Sequence, residues 1–239
     1  MKLAALSLVW AVLLAAGPAV AKDELVTSAH YADGQVIPYV LTSDGGTPTH
    51  AILMMPGGPG NLAPHLDVNG QLVMTWGNNF LMRVRGLFAG AGIAAVSMDA
   101  TTTPERVMAI VDSLQSRFGP LKVYVAGNSL SSGSTMRLGE RMDGKLAGFI
   151  HTSSVNAIAS YDTRQFKSRH LMVAHRMDSC SGTVASSAQH AHNVYGTDLI
   201  LIEGGVSVGK PCEAVAHHGF NGVEKETVAK IVAWMLDGS

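Results

Sequence analysis

The sequence of 239 residues is poor in charge and has no basic cluster. Charged residues make up 15% of it, and the formal net charge is −1. Because nucleic acids and anionic membranes are bound through concentrated positive charge, we expect neither as a partner. Linkers rich in proline or serine, internal repeats and blocks of like charge are also lacking. Residues 22–239 are therefore predicted to form one domain with a substantial core.

Motifs for metal ions and nucleotides are lacking as well. The sequence has two cysteines, Cys180 and Cys212, and ten histidines, but no Cys-x-x-Cys or His-Glu-x-x-His spacing typical of zinc sites. The glycine-rich stretch PGGPGN, residues 56–61, has neither the Lys-Ser/Thr ending of a phosphate-binding loop nor the spacing of a dinucleotide fingerprint. We expect no metal ion, nucleotide or other organic cofactor.

A long apolar run occurs only at the start of the chain. Residues 1–21, MKLAALSLVWAVLLAAGPAVA, combine Lys2, an apolar stretch ending at Ala16, the breaker Pro18 and a small-residue ending. This order predicts a secretory signal peptide that is cut after Ala21. The apolar stretch is shorter than the roughly 20 residues that span a bilayer, which argues against a stable membrane anchor. We expect export, and the sequence does not distinguish the periplasm from the extracellular space.

Short apolar runs alternate with helical patterns over the rest of the chain, which predicts an α/β domain with a mostly parallel sheet. Eight strands are expected, at 25–30, 36–41, 50–55, 93–98, 121–126, 146–151, 170–175 and 198–203. Helices are expected at 79–91, 104–118, 130–142, 183–194 and 223–236. Because chemistry in such a sheet gathers at the carboxyl ends of the strands, the residues that follow each strand are the candidates for a site.

The fifth predicted strand runs into KVYVAGNSLSSG, residues 122–133. Its Gly-Asn-Ser-Leu-Ser segment is close to the G-x-S-x-G elbow, in which a strained turn between strand and helix exposes a nucleophilic serine. Ser129 is the candidate nucleophile. Ser131 stands in the place of the second glycine, a departure that keeps a small side chain. An ordinary turn rich in serine is the alternative interpretation.

The PGGPGN loop follows the third predicted strand, and loops of this kind can direct backbone N–H groups at a developing oxyanion. Pro56 and Pro59 have no N–H group. The expected donors are therefore Gly58 and Leu130, the residue after Ser129. An ordinary glycine-rich turn remains the other reading of this loop.

Two further candidates follow later strands. Asp178 lies just beyond the seventh strand, where a carboxylate could orient an imidazole. His217 and His218 lie in the loop before the last helix, and a histidine with a pKa near neutrality can take the serine proton and pass it to the leaving group. The residue spacing alone leaves the two histidines open, and it leaves a solvated turn as the alternative for Asp178.

The order Ser129, Asp178, His218, with each residue after its strand, resembles the α/β-hydrolase superfamily over nearly the whole of residues 22–239. The similarity is greatest to small exported bacterial serine hydrolases of unassigned substrate. It implies a single-domain α/β-hydrolase fold with little or no cap, and acyl transfer through a Ser/Asp/His triad and an acyl-enzyme that water resolves. The family's histidine often precedes Gly-Phe, which favours His218 over His217.

The two cysteines are predicted to form a disulfide, because export places them where disulfides persist. A Cys180–Cys212 bridge would contribute about 3–4 kcal/mol by the chain-entropy estimate. It would join the loop of Asp178 to the loop of His218 and so hold the triad at working distance. General stabilisation of a small exported protein is the other reading.

The substrate is much less visible in the sequence. The segment between the sixth and seventh strands is too short for a large cap, so we expect a small-molecule or polymeric carboxylic ester with a modest acyl group. Apolar residues of segment 61–77 either line an acyl pocket or pack the loop onto the domain; they are Leu62, Leu66, Val68, Leu72, Val73, Met74 and Trp76.

Two other functions remain open at this point. A serine peptidase or amidase would use the same triad, and the sequence does not separate ester from amide substrates. A non-catalytic binding protein on the hydrolase fold is the third candidate, for which Ser131 at the glycine position is the hint. The oligomeric state is not predicted.

Overall fold

The computed structural model describes residues 23–31 and 34–237. The predicted signal peptide, residues 1–21, lies outside these ranges, so the proposed cleavage and the domain start at residue 22 stay predictions. Within the described ranges, no helix has the length and apolar character needed to cross a membrane.

The described residues contain one large sheet and one small hairpin. The strands are β1 Asp23–His30, β2 Val36–Ser43, β3 His50–Met55, β4 His65–Leu66, β5 Leu72–Val73, β6 Ile93–Met98, β7 Lys122–Asn128, β8 Gly148–Thr152, β9 Arg169–His175 and β10 Asp198–Ile202. Eight of them form the large sheet, in the order β1-β2-β6-β3-β7-β8-β9-β10, and β4 pairs with β5. All eight predicted strands are present in the large sheet.

The sheet is mixed but mostly parallel. β1 and β2 form an antiparallel hairpin, and β2 also runs antiparallel to β6. Every pairing from β6 to β10 is parallel. All residues of β3, β6 and β8 are buried, as expected for parallel strands that are covered on both faces. The carboxyl ends of the parallel strands therefore meet at one edge.

Six α-helices flank the sheet in the described residues. They are α1 Phe80–Arg83, α2 Arg85–Ala89, α3 Pro104–Phe118, α4 Leu130–Arg141, α5 Ala185–Tyr195 and α6 Glu224–Asp237. The structure divides the helix predicted at 79–91 into α1 and α2, because Val84 between them has φ −95° and ψ 0°. The other four helices begin and end within two residues of the predicted bounds.

The core has a separate apolar layer on each face of the sheet. α3 buries Val107, Ile110, Val111 and Leu114, the spacing of one face of a helix, against the same face as α4. α1, α2 and α6 cover the opposite face. Successive side chains of β3 alternate between the two layers: Leu53 and Met55 pack in one, and Ile52 and Met54 pack in the other.

The connection between β8 and β9 forms no lid in the structure. It holds two short 3-10 turns, Asn156–Ser160 and Thr163–Gln165. The connection thus agrees with the expected fold, which has little or no cap.

Candidate active site

Ser129 occupies a strained turn between β7 and α4. Its backbone has φ 53° and ψ −121°, a conformation that costs a non-glycine residue on the order of 1–3 kcal/mol. The Ser129 N–H donates to the carbonyl of Thr152 at 2.9 Å, which fixes the turn to the neighbouring strand. The hydroxyl makes no capping bond to α4. The side chain is thus held at the sheet edge without being used to cap the helix.

Gly127 explains why the turn needs small residues. A Cβ atom at Gly127 would lie 2.2 Å from the carbonyl oxygen of Ser131, a distance that no side chain tolerates. Ser131, which replaces the second glycine of the sequence motif, is buried and donates its hydroxyl hydrogen to the carbonyl of Pro56. The departure from the motif therefore ties α4 to the glycine-rich loop after β3.

Asp178 and His218 are buried together and joined by a hydrogen bond. His218 Nδ1 lies 3.0 Å from Asp178 Oδ2, and the exposed fractions of the two side chains are 4% and 1%. Because an ionised carboxylate only accepts, Nδ1 carries the hydrogen, and Nε2 is left with a lone pair that can take a proton. The pair has the arrangement required of an imidazole base and its orienting carboxylate.

Asp178 has two further donors around it. The Cys180 N–H donates to Oδ1 at 2.9 Å, and the Thr183 hydroxyl donates to Oδ2 at 3.0 Å. Thr183 Oγ1 also lies 3.1 Å from His218 Nδ1, so it contacts both members of the pair. These bonds satisfy a carboxylate that is otherwise buried away from water.

His217 lies in a different environment from its neighbour. Its ring stacks on His175, with centroids 4.5 Å apart and planes 9° apart. His175 donates from Nε2 to the Gly204 carbonyl at 2.9 Å and accepts the Met177 N–H at Nδ1, and burial lowers its pKa. Of the two adjacent histidines, the structure brings His218 to Asp178.

The loop that carries His218 is fixed from two sides. The Ser153 hydroxyl donates to the His218 carbonyl at 2.7 Å, and Ser153 has a positive φ of 43°. The Arg83 guanidinium donates to the Gly219 carbonyl at 2.5 Å and pairs with Glu224 at 2.9 Å. Ser153, just after β8, and Arg83 of α1, which pairs with Glu224 of α6, therefore fix the backbone at His218 and Gly219.

The predicted disulfide is present in the structure. Cys180 and Cys212 are bonded, with their Cα atoms 4.7 Å apart. The bridge joins the loop of Asp178 to the loop that leads to His218, as the sequence positions indicated.

Ser129 and His218 line the same open cavity, which has a volume of about 420 Å³. No hydrogen bond to the Ser129 hydroxyl is found within the described residues, so the serine and the imidazole border the same space without a hydrogen bond between them. Catalytic hydrogen bonds are often long in ligand-free enzymes and shorten when substrate binds. The structure thus brings Asp178 to His218, and both His218 and Ser129 to one cavity.

The glycine-rich loop packs against Ser129. A Cβ atom at Gly57 would lie 3.1 Å from Ser129 Cβ, so the loop approaches as closely as a glycine permits. Gly58 has φ +64°, lines the cavity and lies beneath the ring of Trp76, while Leu130 begins α4 and is 62% exposed. Gly58 therefore lines the same cavity as Ser129, and Leu130 follows Ser129 at the start of α4.

The apolar residues of segment 61–77 do not form an acyl pocket. Trp76 is the member of that set that lines the cavity. Leu62 is fully buried in the core, and Val68, near the tip of the β4–β5 hairpin, is fully exposed. The cavity wall is instead partly polar, with Thr75, Asn78 and Asn79 among its residues.

Several residues of the site carried no signal in the sequence. Thr183, Ser153, Arg83 and Asn79 reach the site through contacts between distant loops, and none lies in a motif. Their roles follow from hydrogen bonds that only the folded chain displays.

A second cluster of histidines lies away from the cavity, next to α4. His151 Nε2 lies 3.2 Å from His170 Nδ1, and Thr135 Oγ1 lies 2.7 Å from the other nitrogen of His151. Burial lowers the pKa of His151 well below its usual value and that of His170 to about 4. Within residues 23–31 and 34–237, no group of three or more His, Cys, Asp or Glu side chains is placed to hold a metal ion.

Comparison by sequence finds no protein-family model and no curated protein that matches the chain. Comparison by structure finds many similar folds. A dienelactone hydrolase from Anabaena variabilis has a TM-score of 0.64 at 14% identity, covering 90% of this chain and 98% of its own. A serine hydrolase without a lid from Xanthomonas campestris has a TM-score of 0.58 at 8% identity, covering 87% and 95%. A cold-adapted esterase from an Arctic intertidal metagenomic library has a TM-score of 0.58 at 14% identity, covering 90% and 92%.

These similarities define the fold of the protein. The chain has the α/β-hydrolase fold, with an eight-stranded, mostly parallel sheet and flanking helices, and it shares that fold with esterases and dienelactone hydrolases. The fold class predicted from the sequence is confirmed. At such low sequence identities the comparison shows the fold but not the reaction, because the reaction depends on the residues of the site.

Proposed function

We propose that the protein is an exported serine hydrolase that cleaves carboxylic esters through Ser129, His218 and Asp178. The observation that supports this most is the buried Asp178–His218 hydrogen bond beside a cavity that also exposes the strained Ser129. A serine hydroxyl is a weak nucleophile on its own, and an adjacent imidazole base activates it.

The first half of the reaction forms an acyl-enzyme. Ser129 Oγ attacks the ester carbonyl carbon while His218 Nε2 takes the hydroxyl proton, and Asp178 stabilises the resulting imidazolium. Backbone N–H groups of Gly58 and Leu130 donate to the oxyanion. The imidazolium then returns its proton to the alkoxy oxygen as the ester C–O bond breaks, and the alcohol leaves.

The second half repeats these steps with water. His218 Nε2 takes a proton from a water molecule that attacks the acyl carbon, and the oxyanion forms again at the same donors. As this intermediate collapses, the proton passes to Ser129 Oγ and the carboxylic acid is released. The enzyme returns to its starting state, so the net reaction is ester plus water to acid plus alcohol.

The open cavity of about 420 Å³ favours a modest acyl group on a small or polymeric ester. Several proteins of similar fold are described as esterases or a dienelactone hydrolase, which supports ester rather than amide cleavage. The leader-like residues 1–21 and the Cys180–Cys212 disulfide support export of the domain formed by residues 22–239.

Ser131 no longer favours a non-catalytic binding protein. Its hydroxyl bonds to the Pro56 carbonyl and so joins the elbow to the loop that carries Gly58. A serine at this position is thus compatible with a working oxyanion loop.

Labelling with a fluorophosphonate, mapped by peptide mass spectrometry, tests the proposal. We expect an adduct on Ser129 in the unmodified mature protein and in His217→Ala, and a strongly reduced adduct in His218→Ala. The His217 variant is the matched control because it alters the neighbouring imidazole without touching Asp178. An adduct on Ser131 or Ser132, or none on folded protein, would contradict the proposal.

A substrate comparison then separates ester from amide cleavage. We expect turnover of p-nitrophenyl acetate and butyrate above that of longer p-nitrophenyl esters and of matched p-nitroanilides. Turnover of anilides alone would replace the esterase by an amidase with the same triad. A profile weighted toward long acyl chains would contradict the modest acyl group.

A further inference from the structure

Asn79 is held rigidly at the wall of the cavity that contains Ser129. Its backbone N–H donates to the Trp76 carbonyl at 2.9 Å, and its carbonyl accepts the Arg83 N–H at 3.0 Å. Its side-chain Oδ1 accepts the Leu81 N–H at 3.3 Å and caps α1. Three of its polar groups are thus committed to the local fold.

The remaining polar group, Nδ2, faces the small space beside Ser129. The position that a Cβ atom of Gly57 would occupy lies 3.2 Å from Asn79 Nδ2 and 3.1 Å from Ser129 Cβ. The amide nitrogen and the serine therefore both border the small gap that a side chain at residue 57 would occupy. Over the part of the chain that the structure describes, Nδ2 has no hydrogen-bond partner.

The orientation of this amide is determined by its surroundings. The cap requires an acceptor toward Leu81, so the oxygen is on that side and the NH₂ group faces the gap. The Asn128 carbonyl oxygen lies 3.1 Å from the same Gly57 position. A flipped amide would give up the cap and place an oxygen, which cannot donate, beside the gap.

We propose that Asn79 is a third oxyanion donor, and this rests on the function proposed above. Its Nδ2–H donates to the oxygen that becomes negative when Ser129 attacks, together with the N–H groups of Gly58 and Leu130. A donor held by the fold needs no reorganisation as charge develops, and its bond to an oxyanion is stronger than its bond to a neutral carbonyl. The contribution therefore appears in kcat rather than in substrate binding.

Two substitutions separate this role from the capping role. Asn79→Asp keeps the size and the capping acceptor but has no N–H to donate. Asn79→Ser keeps a capping oxygen without adding charge and does not extend to the gap. Asn193→Ala is the control, because Asn193 is exposed on α5 and is not among the residues that line the cavity.

Steady-state kinetics on p-nitrophenyl butyrate is the first measurement, with melting temperature as a check of folding. We expect kcat to fall about 10²-fold in both Asn79 variants, with KM within about threefold of the unmodified enzyme, as for loss of one oxyanion donor. Asn193→Ala is expected to keep kcat within about threefold. A raised KM with unchanged kcat, or an unchanged kcat in Asn79→Ser, would overturn the proposal.

Inhibition by an alkyl boronic acid gives an independent readout, because the tetrahedral adduct on Ser129 imitates the charged intermediate. We expect the inhibition constant to rise in Asn79→Ser by a factor similar to the loss in kcat. An unchanged constant contradicts the proposal. If the unmodified protein neither labels at Ser129 nor hydrolyses any ester, the proposed hydrolase function is wrong. If the enzyme is active but its kcat and boronate inhibition do not change in the Asn79 variants, only the role of Asn79 as a third donor is wrong.

Discussion

The backbone N–H of Cys180 lies 2.9 Å from Oδ1 of Asp178, so the disulfide begins within the loop that holds the carboxylate. At its other end, Cys212 lines the cavity beside Ser129. One covalent bond therefore connects the loop of Asp178, the loop that leads to His218 and the wall of the cavity.

Breaking that bond should affect catalysis as well as stability. In the double variant Cys180→Ser/Cys212→Ser we expect unfolding to be easier by about 2–4 kcal/mol and kcat to fall at least about tenfold, because small displacements of catalytic groups are costly. Urea unfolding and ester turnover, each with and without reductant on the unmodified protein, measure the two effects. Full activity in the double variant would show that the disulfide only stabilises the fold and does not position the catalytic groups.

Thr183 should matter for the Asp178–His218 pair. Thr183→Val keeps the shape but removes the hydroxyl that donates to Asp178, and we expect a loss of about 1–3 kcal/mol in stability together with a several-fold fall in kcat. Thr183→Ser restores the hydroxyl and should restore most of the activity. The two variants are compared in kcat and in urea unfolding. Equal activity in valine and serine variants would show that the pair is positioned without this contact.

Replacing Ser131 with the glycine of the sequence motif should improve neither the stability nor the activity of the protein. Ser131→Ala leaves the buried Pro56 carbonyl without its donor, and we expect a loss of about 1–3 kcal/mol and a lower kcat. Ser131→Gly should lose about 1 kcal/mol more, because glycine destabilises a helix relative to alanine. Thermal unfolding and turnover of one ester give both quantities. A glycine variant that is faster and equally stable would contradict this account.

The buried histidines should make the fold sensitive to acid. Burial lowers the pKa of His170 to about 4, below the value near 6.5 of an unfolded histidine. The unfolded chain therefore binds this proton first, and the stabilisation that is present above pH 6.5 is lost as the pH falls toward 4, by about 3 kcal/mol.

Replacing the titrating ring checks that expectation. His170→Phe keeps an aromatic ring between Phe149 and Phe166 and should lower stability at pH 7 yet flatten its dependence on pH between 7 and 4. His190→Gln, at an exposed position on α5, is the control and should leave the slope unchanged. Urea unfolding at several pH values measures both slopes, and an unaltered slope in the phenylalanine variant would place the acid sensitivity elsewhere.

The strands and most helices could be predicted because burial imposes a period on the sequence. β3, β6 and β8 are buried over their whole length because helices cover both sheet faces, and apolar residues predominate in β3 and β6. α3 shows the helical spacing directly. The division of the predicted helix 79–91 into two helices was not predicted, because a helical pattern of residues does not reveal the local change of conformation at Val84.

The site could be predicted only in part, and for a physical reason. Ser129 and Asp178 each follow a strand, so chain position alone brings them to the same sheet edge. The contacts of Asn79 and Thr183 depend on how loops from different strands meet, which no local pattern encodes. The exposed Val68 shows the converse, because apolar character by itself does not say whether a side chain faces a pocket, the core or solvent.

The short connection between β8 and β9 has a kinetic consequence. In many enzymes with a closing lid, the rate-limiting step is the opening of the lid that releases product. Over the described residues, the β8–β9 connection supplies no such lid, so ligand entry is expected to depend on productive collisions alone. With the function proposed above, an ester group on a bulky or immobile chain is therefore expected to reach Ser129 while the rest of that chain stays outside the protein.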